Sequence, residues 1–146
     1  MYVNEDLKIA FIHNAKAAGS AIHIALKDAS GWQKGDIRRS DPPPHMHHMT
    51  VNEFISIEEE YKSYYKFAVV REPLERLRSG YVDFLRSESR LKYNLSMPPV
   101  FEYKNFENFC VNFPNSEWAS DPHFRPQHQM ICDNKDNILV DVCRYE

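Results

Sequence analysis

Apolar and polar positions along this chain switch between two periods, and the switches mark its elements. Residues 7–13 carry Ile9, Phe11 and Ile12 in a short β-branched and aromatic run, which predicts a buried strand. From Gly19 the period lengthens. Ile22, Ala25, Leu26 and Ala29 recur at i, i+3, i+4 and i+7, one face of a helix ending near Ser30-Gly31. His23 falls off that face and is expected in solvent. Residues 31–49 are polar, include the Pro42-Pro43-Pro44 run and read as a long surface loop. Thr50 and Glu53 then have the spacing of a capping box, which predicts a helix through about Glu60.

Residues 64–70 form the second strand-like run. It stops at Arg71-Glu72-Pro73, where proline suits the first position of a helix. Leu74, Leu77, Tyr81, Phe84 and Leu85 follow helical spacing to about Ser87. Residues 88–103 read as a loop around Met97-Pro98-Pro99, and Phe106, Phe109 and Cys110 fit a short helix. Residues 112–125 are irregular, residues 126–131 add a helical turn, and residues 133–137 turn into a last strand at 138–142. Two strands that each feed a helix predict an α/β protein with a parallel sheet. With neither a repeat nor a linker, one domain covers residues 1–146.

Composition bounds the class. A chain of 146 residues buries roughly 70% of its unfolded surface. Its 42% apolar and 13% aromatic content is that of a globular domain. No apolar run approaches the ~18 residues of a membrane span. No basic segment leads into a long apolar one, so a secretory signal is not expected; the unpaired cysteines favour the cytoplasm, with a lumenal domain whose anchor has been removed as the alternative. A formal charge of -3 excludes a general nucleic-acid binder, so any anion site has to be local. Cys110, Cys132 and Cys143 are odd in number with no close pair, which excludes a zinc ribbon and a dithiol motif.

The joint between the first strand and first helix, residues 8–22, is where chemistry enters. An apolar run ends in a small-residue turn with one lysine, Lys16, and opens into a helix. The first amides of a helix lack intrahelical acceptors and its dipole favours negative charge, so this order suits a phosphate-like group. A Walker-type loop needs a serine or threonine after its lysine to ligate magnesium, and an earlier glycine. Lys16 is followed by Ala17 and no glycine precedes it, which disfavours a magnesium-dependent kinase and leaves anion capture intact. No metal is expected. Arg71, at the end of the second strand, and Ser79, about two turns into the next helix, can hold a second phosphate, with Gly80 removing bulk beside them.

Phe11-Ile12-His13-Asn14-Ala15-Lys16-Ala17-Ala18-Gly19-Ser20 resembles the Phe-Ile-His-x-Pro-Lys-Thr-Ala-Gly-Thr loop of the sulfotransferases that act on carbohydrates and related acceptors. Residues 69–81, Val-Val-Arg-Glu-Pro-Leu-Glu-Arg-Leu-Arg-Ser-Gly-Tyr, are similar to that family's Val-Arg-Asn-Pro-x-x-Arg-x-x-Ser-x-Tyr segment. His123-Phe124-Arg125-Pro126-Gln127 and residues 140–146 look like two further signatures, so the resemblance spans nearly the whole chain.

The resemblance implies a P-loop NTPase-like, three-layer α/β fold around a central parallel sheet, binding 3'-phosphoadenosine 5'-phosphosulfate as co-substrate. Carried over by position, Lys16 and the amides of Ala17, Ala18, Gly19, Ser20 and Ala21 hold the 5'-phosphosulfate, and Arg71 with Ser79 the 3'-phosphate. The reaction is then sulfuryl transfer to a hydroxyl of a sugar or similar acceptor, with Lys16 catalytic. The acceptor hydroxyl benefits from a histidine base. His48, just before the Thr50 helix, matches the segment that supplies it in some members; His47 is second, His45 lies in the same cluster, and His123 contacts substrate or anchors a loop.

Departures qualify the match. Ala15, Ala17 and Ala21 stand where the family has proline, a hydroxyl residue and serine, leaving backbone donors to bind the phosphosulfate. Glu72 replaces asparagine or aspartate, which predicts a lost N-cap. The chain stops just after its last strand where the family continues, which reads as a truncation at the C-terminus. A degenerate nucleotide-binding module of the same fold is the alternative function.

Overall fold

The apolar runs form one sheet of five strands in the computed structural model, which describes residues 1–29, 31–34, 48–85, 103 and 105–145. They are β1 (Tyr2–Asn4), β2 (Ile9–Ile12), β3 (Trp32–Lys34), β4 (Tyr65–Val70) and β5 (Asp141–Arg144), in the order β3-β1-β2-β4-β5. β4 runs parallel to β2 and β5, with Phe11 beside Phe67 and Ala68 beside Val142. The expected parallel sheet is therefore correct for three strands. β1 is antiparallel to both β2 and β3. The cause is local: Asn4 Oδ1 accepts the Leu7 N–H at 3.0 Å and Lys8 takes a left-handed φ of 53°, closing a turn too short for a parallel crossover. β1 and β3 have three residues each, too few for alternation to reveal, and β3 corrects the start of the loop expected over residues 31–49, because pairing with β1 makes Trp32–Lys34 a strand.

The described helices are α1 (Gly19–Lys27), α2 (Val51–Ile55), α3 (Pro73–Phe84), α4 (Phe106–Asn112) and α5 (Gln127–Ile131). Tight 3-10 turns at Glu59–Ser63, Phe113–Asn115 and Glu117–Ser120 fill the stretches between them. Thr50 makes the expected capping box with Glu53, but α2 ends at Ile55 rather than near Glu60 because the chain tightens into the first 3-10 turn. The lost cap at Glu72 is overturned: its longer carboxylate reaches the Glu75 N–H at 2.8 Å and caps α3, with Pro73 at the start. The last strand begins at Asp141, and Ile138 makes only an isolated bridge with Cys132. Of the expected loops, residues 35–47 and 86–102 lie outside the described residues.

Alternation along the strands builds the main core. Val3, Ala10, Ile12 and Ala68 face one side and pack under Val51, Phe54, Met130 and Ile131 of α2 and α5. Tyr2, Phe11 and Phe67 stack on the other face. There α1 buries a stripe displaced from the expected one. Gly19 is buried and Ile22, His23 and Leu26 are half-buried, whereas Ala25 and Ala29 are exposed. His23 is not in open solvent: its ring stacks on Tyr2, centroids 5.0 Å apart. A polar residue thus belongs to the packed stripe, which a purely apolar count misses.

A second core joins α3 to α4 through Tyr81, Phe84, Phe109, Trp118 and Phe124. Gly80 serves this core and not the proposed second phosphate, because a Cβ there would overlap the Phe124 ring. Asp133 closes the turn before β5 by accepting from Lys135 N and Asn137 N at 2.8 and 2.9 Å. Its bonds to the Asn137 side chain and to these amides hold its carboxyl below the usual carboxylate range. Gly80→Ala is expected to destabilise the fold by about 1–3 kcal/mol through overpacking, despite alanine's better helix propensity. Chemical denaturation checks this, and an unchanged midpoint would dissociate Gly80 from the Phe124 contact.

Candidate functional site

Residues 14–18 leave the C-terminal end of β2 and enter α1 through two left-handed residues, Lys16 at φ 63° and Ala18 at φ 60°. Neither is glycine, so surrounding contacts have to hold this strained backbone. Asn14, only 1% exposed, donates from Nδ2 to Val69 O at 2.8 Å and ties the turn to β4. The Ala17 N–H is occupied by Asn14 O at 3.4 Å, while Ile22 N bonds Ala18 O at 3.0 Å. The amides of Gly19, Ser20 and Ala21 are those a first helical turn leaves without intrahelical acceptors. Alternating left-handed residues also turn backbone N–H groups into an anion-binding concavity.

The other side of the turn is held by Arg76 on α3, a residue buried to 8% exposure. Its Nη1 donates to Ala15 O at 3.2 Å and His123 O at 3.0 Å; its Nη2 donates to Phe124 O at 3.1 Å and Arg125 O at 2.8 Å. Burial lowers its pKa from the ordinary value, but a guanidinium starts high enough to keep its charge. One cation therefore joins the lysine turn to residues 123–125. Gln127 does similar work on the neighbouring strand end. Its side-chain amide accepts from Arg71 N at 2.9 Å and donates to Arg71 O at 2.8 Å, fixing the backbone that carries the Arg71 side chain.

These supports open a cleft of about 740 Å³. Lys16, Ala18, Gly19, Ser20, Ala21, Arg71 and Ser79 all line it, so residues separated by half the chain meet as expected. Ala17 does not line it; it is fully buried and its amide is already bonded within the turn. A narrower recess of about 340 Å³ continues between Lys16, Arg71, Arg78, Ser79, Glu75 and Asp83. Lys16 Nζ lies 3.0 Å from Asp83 Oδ2, a half-buried ion pair. The Arg71 guanidinium stacks 4.7 Å from the Tyr145 ring centroid and reaches Glu75 only at 3.8 Å. Its Nε is buried without a hydrogen-bond partner among the described residues.

Four imidazoles line the same cleft, those of His13, His23, His48 and His123. His48 is 6% exposed, with ring centroids 5.0 Å from His13 and 4.8 Å from His123. His13 lies over Gly19, where any Cβ would overlap its ring, so the glycine is required by a close approach. His123 Nδ1 lies 2.8 Å from Asp121 Oδ1. His45 and His47 lie outside the described residues.

Sequence reasoning left Arg76, Gln127, Asp83, Asp121, Tyr145 and His13 without individual roles. Arg76, Gln127, Tyr145 and His13 did stand inside the family-like motifs. Asp83 and Asp121 carried no signal beyond their residue type, since their partners are distant or defined by a tight turn.

A strand-turn-helix joint beside an arginine at a parallel strand end, with histidines lining the same cleft, is a geometry on which α/β proteins hold anionic groups. The chain belongs to the sulfotransferase family: the family pattern matches residues 1–146. Its activity is accordingly sulfotransfer in the general sense. Comparison with curated proteins and with solved structures returns no significant match.

Replacing Arg76 by lysine is expected to cost at least about 2 kcal/mol, because one ammonium cannot serve four carbonyls spread across a planar fork. Urea unfolding checks the loss. A near-wild-type stability would mean that the four bonds contribute little.

Proposed function

We propose that this protein transfers a sulfuryl group from 3'-phosphoadenosine 5'-phosphosulfate to a hydroxyl of a sugar or similar acceptor. The observation that carries the reading is the meeting of Lys16, the α1 N-terminus, Arg71 and Ser79 in one cleft. The donor has two separated anionic groups, and the cleft has two separated cations. Strand β2, the lysine turn and α1 beside parallel β4 also support a P-loop-like arrangement.

Lys16 and the amides of Gly19, Ser20 and Ala21 are the groups suited to the 5'-phosphosulfate, with Ala18 shaping the turn. Arg71 and Ser79 suit the 3'-phosphate, the Arg71 backbone being held by Gln127. In the reaction the acceptor oxygen forms a bond to sulfur as the bond from sulfur to the bridging phosphate oxygen breaks. His48 takes the hydroxyl proton. Lys16 and the helix amides stabilise the charge that develops on the leaving phosphate, so positioning and preorganised dipoles supply the acceleration.

Binding of 3',5'-bisphosphoadenosine, measured by calorimetry, tests the donor site. Lys16→Ala and Arg71→Ala are each expected to weaken it at least tenfold, the loss of a charged hydrogen bond to phosphate. His48→Ala is expected to leave binding intact and slow transfer roughly 10²- to 10⁴-fold. A folded wild-type protein that does not bind the bisphosphate would sink the proposal, and binding without turnover on a broad sugar panel would favour the degenerate module.

The Lys16–Asp83 pair adds a second test. Lys16 has to share or leave this carboxylate to meet the donor, and a partly buried pair of this kind is worth on the order of 1 kcal/mol. Asp83→Asn should therefore tighten bisphosphoadenosine binding about two- to fivefold, by the same calorimetry. Weaker binding would mean that Asp83 instead orients the lysine.

A further inference from the structure

The buried position of His48 poses a problem that the donor site does not answer. A base that is 6% exposed and flanked by two other imidazoles can accept a proton, but it then has to pass that proton on. Its neighbour on one side, His123, has a built environment for a positive charge. Asp121 Oδ1 accepts the His123 backbone N–H at 2.7 Å and meets ring Nδ1 at 2.8 Å. The Asp121 side chain is 6% exposed and the His123 side chain 12%, so this pair works in a medium where charge interactions are weakly screened. With Nδ1–H directed to the carboxylate, Nε2 is the basic nitrogen of the neutral ring.

Resting on the sulfotransfer reading above, we propose that Asp121 and His123 form the second half of a proton relay that begins at His48. His48 takes the acceptor's hydroxyl proton as the oxygen bonds to sulfur. In the same step His48 gives the proton of its other ring nitrogen to His123 Nε2, and Asp121 holds the resulting imidazolium until the proton reaches solvent. No electrons change hands, and His48 returns to its basic form. His48 is the group that meets substrate; His123 acts through it, and Asp121 positions His123.

The frame around the relay is rigid on each side. Phe84 of α3 meets the His123 ring edge-on at 5.2 Å, and Arg76 holds the His123 carbonyl. Among the described residues, Asp121, Arg76 and His13 contact the row, and Lys16, Arg71, His23 and Tyr145 line the same cleft. Arg76 is committed to carbonyl oxygens and Lys16 to Asp83, while Asp121 is a carboxylate in direct contact with the row's outer ring.

The test compares wild type with Asp121→Asn and Asp121→Glu. Bisphosphoadenosine affinity by calorimetry is expected to change less than twofold in both. Release of bisphosphoadenosine from the phosphosulfate donor, with a sugar panel as acceptors, is expected to fall about 10²-fold in Asp121→Asn, with partial recovery in Asp121→Glu. The wild-type rate plotted against deuterium fraction should be bowed, as two protons in flight require, and straight in Asp121→Asn. Linear plots in both, or a rate loss matched by lost bisphosphate binding, would overturn the relay. Nitrogen-15 imidazole spectra of the unliganded chain separate this from failure of the donor reading. They should report His123 as the Nδ1–H tautomer, with His48 signals that move in Asp121→Asn. Unmoved His48 signals overturn the relay whether or not the bisphosphate binds.

Discussion

One buried cation organises this protein. Arg76 enters the interior without a carboxylate partner among the described residues and is solvated instead by four carbonyl dipoles drawn from two distant segments. A guanidinium suits this arrangement because its donors diverge in one plane at fixed angles, so satisfying them fixes the relative placement of the acceptors. Desolvating a charge is expensive, and that expense makes the arrangement selective: a chain with Ala15 or residues 123–125 displaced leaves the charge uncompensated. The lysine turn and the histidine row are thus placed against each other by a residue that need touch neither substrate.

The same constraint explains how a turn of alanines keeps an unusual backbone. Left-handed conformations at Lys16 and Ala18 each cost roughly 1–2 kcal/mol relative to glycine in such a position. The Asn14 bond to Val69 and the Arg76 bond to Ala15 bracket the turn and hold that strain. Ala15 and Ala17 are buried, so their side chains contribute packing and the turn's polar surface is backbone. The departures from the family's side chains therefore fall largely on the inward side of the loop.

Much of this was legible in the sequence where the signal is local. The β2 and β4 runs, the Thr50 capping box, Pro73 at a helix start and the meeting of Lys16 with Arg71 and Ser79 follow from period, turn chemistry and the α/β crossover. The misses share a physical character. β1 and β3 are defined by pairing across the sheet, His23 joins a packed stripe through ring stacking, and Gly80 serves Phe124, 44 positions away, rather than an anion. Glu72 caps a helix although shorter side chains are preferred, because its carboxylate still reaches Glu75 N. Arg76 is the clearest case: amphipathic spacing would leave it on the outer face of α3, and only the carbonyls opposite it make burial tolerable.

Charge balance then decides what the cleft can use for binding. In the narrow recess Lys16, Arg71 and Arg78 face Glu75 and Asp83, so three cations against two carboxylates leave a formal +1. A donor with a phosphosulfate and a second phosphate carries more negative charge than that, in a protein whose overall charge is -3. Side-chain charge alone is therefore a weak attractor. The balance has to come from groups that are not counted in formal charge: the first amides of α1, the concave backbone of the turn and the positive end of the helix dipole. Unlike long side chains these donors lose no rotamer freedom on binding, and they keep their orientation while charge moves onto the leaving oxygen. On the proposed reading the strained turn is the feature on which donor affinity and catalysis both depend, and Arg76 keeps it in place.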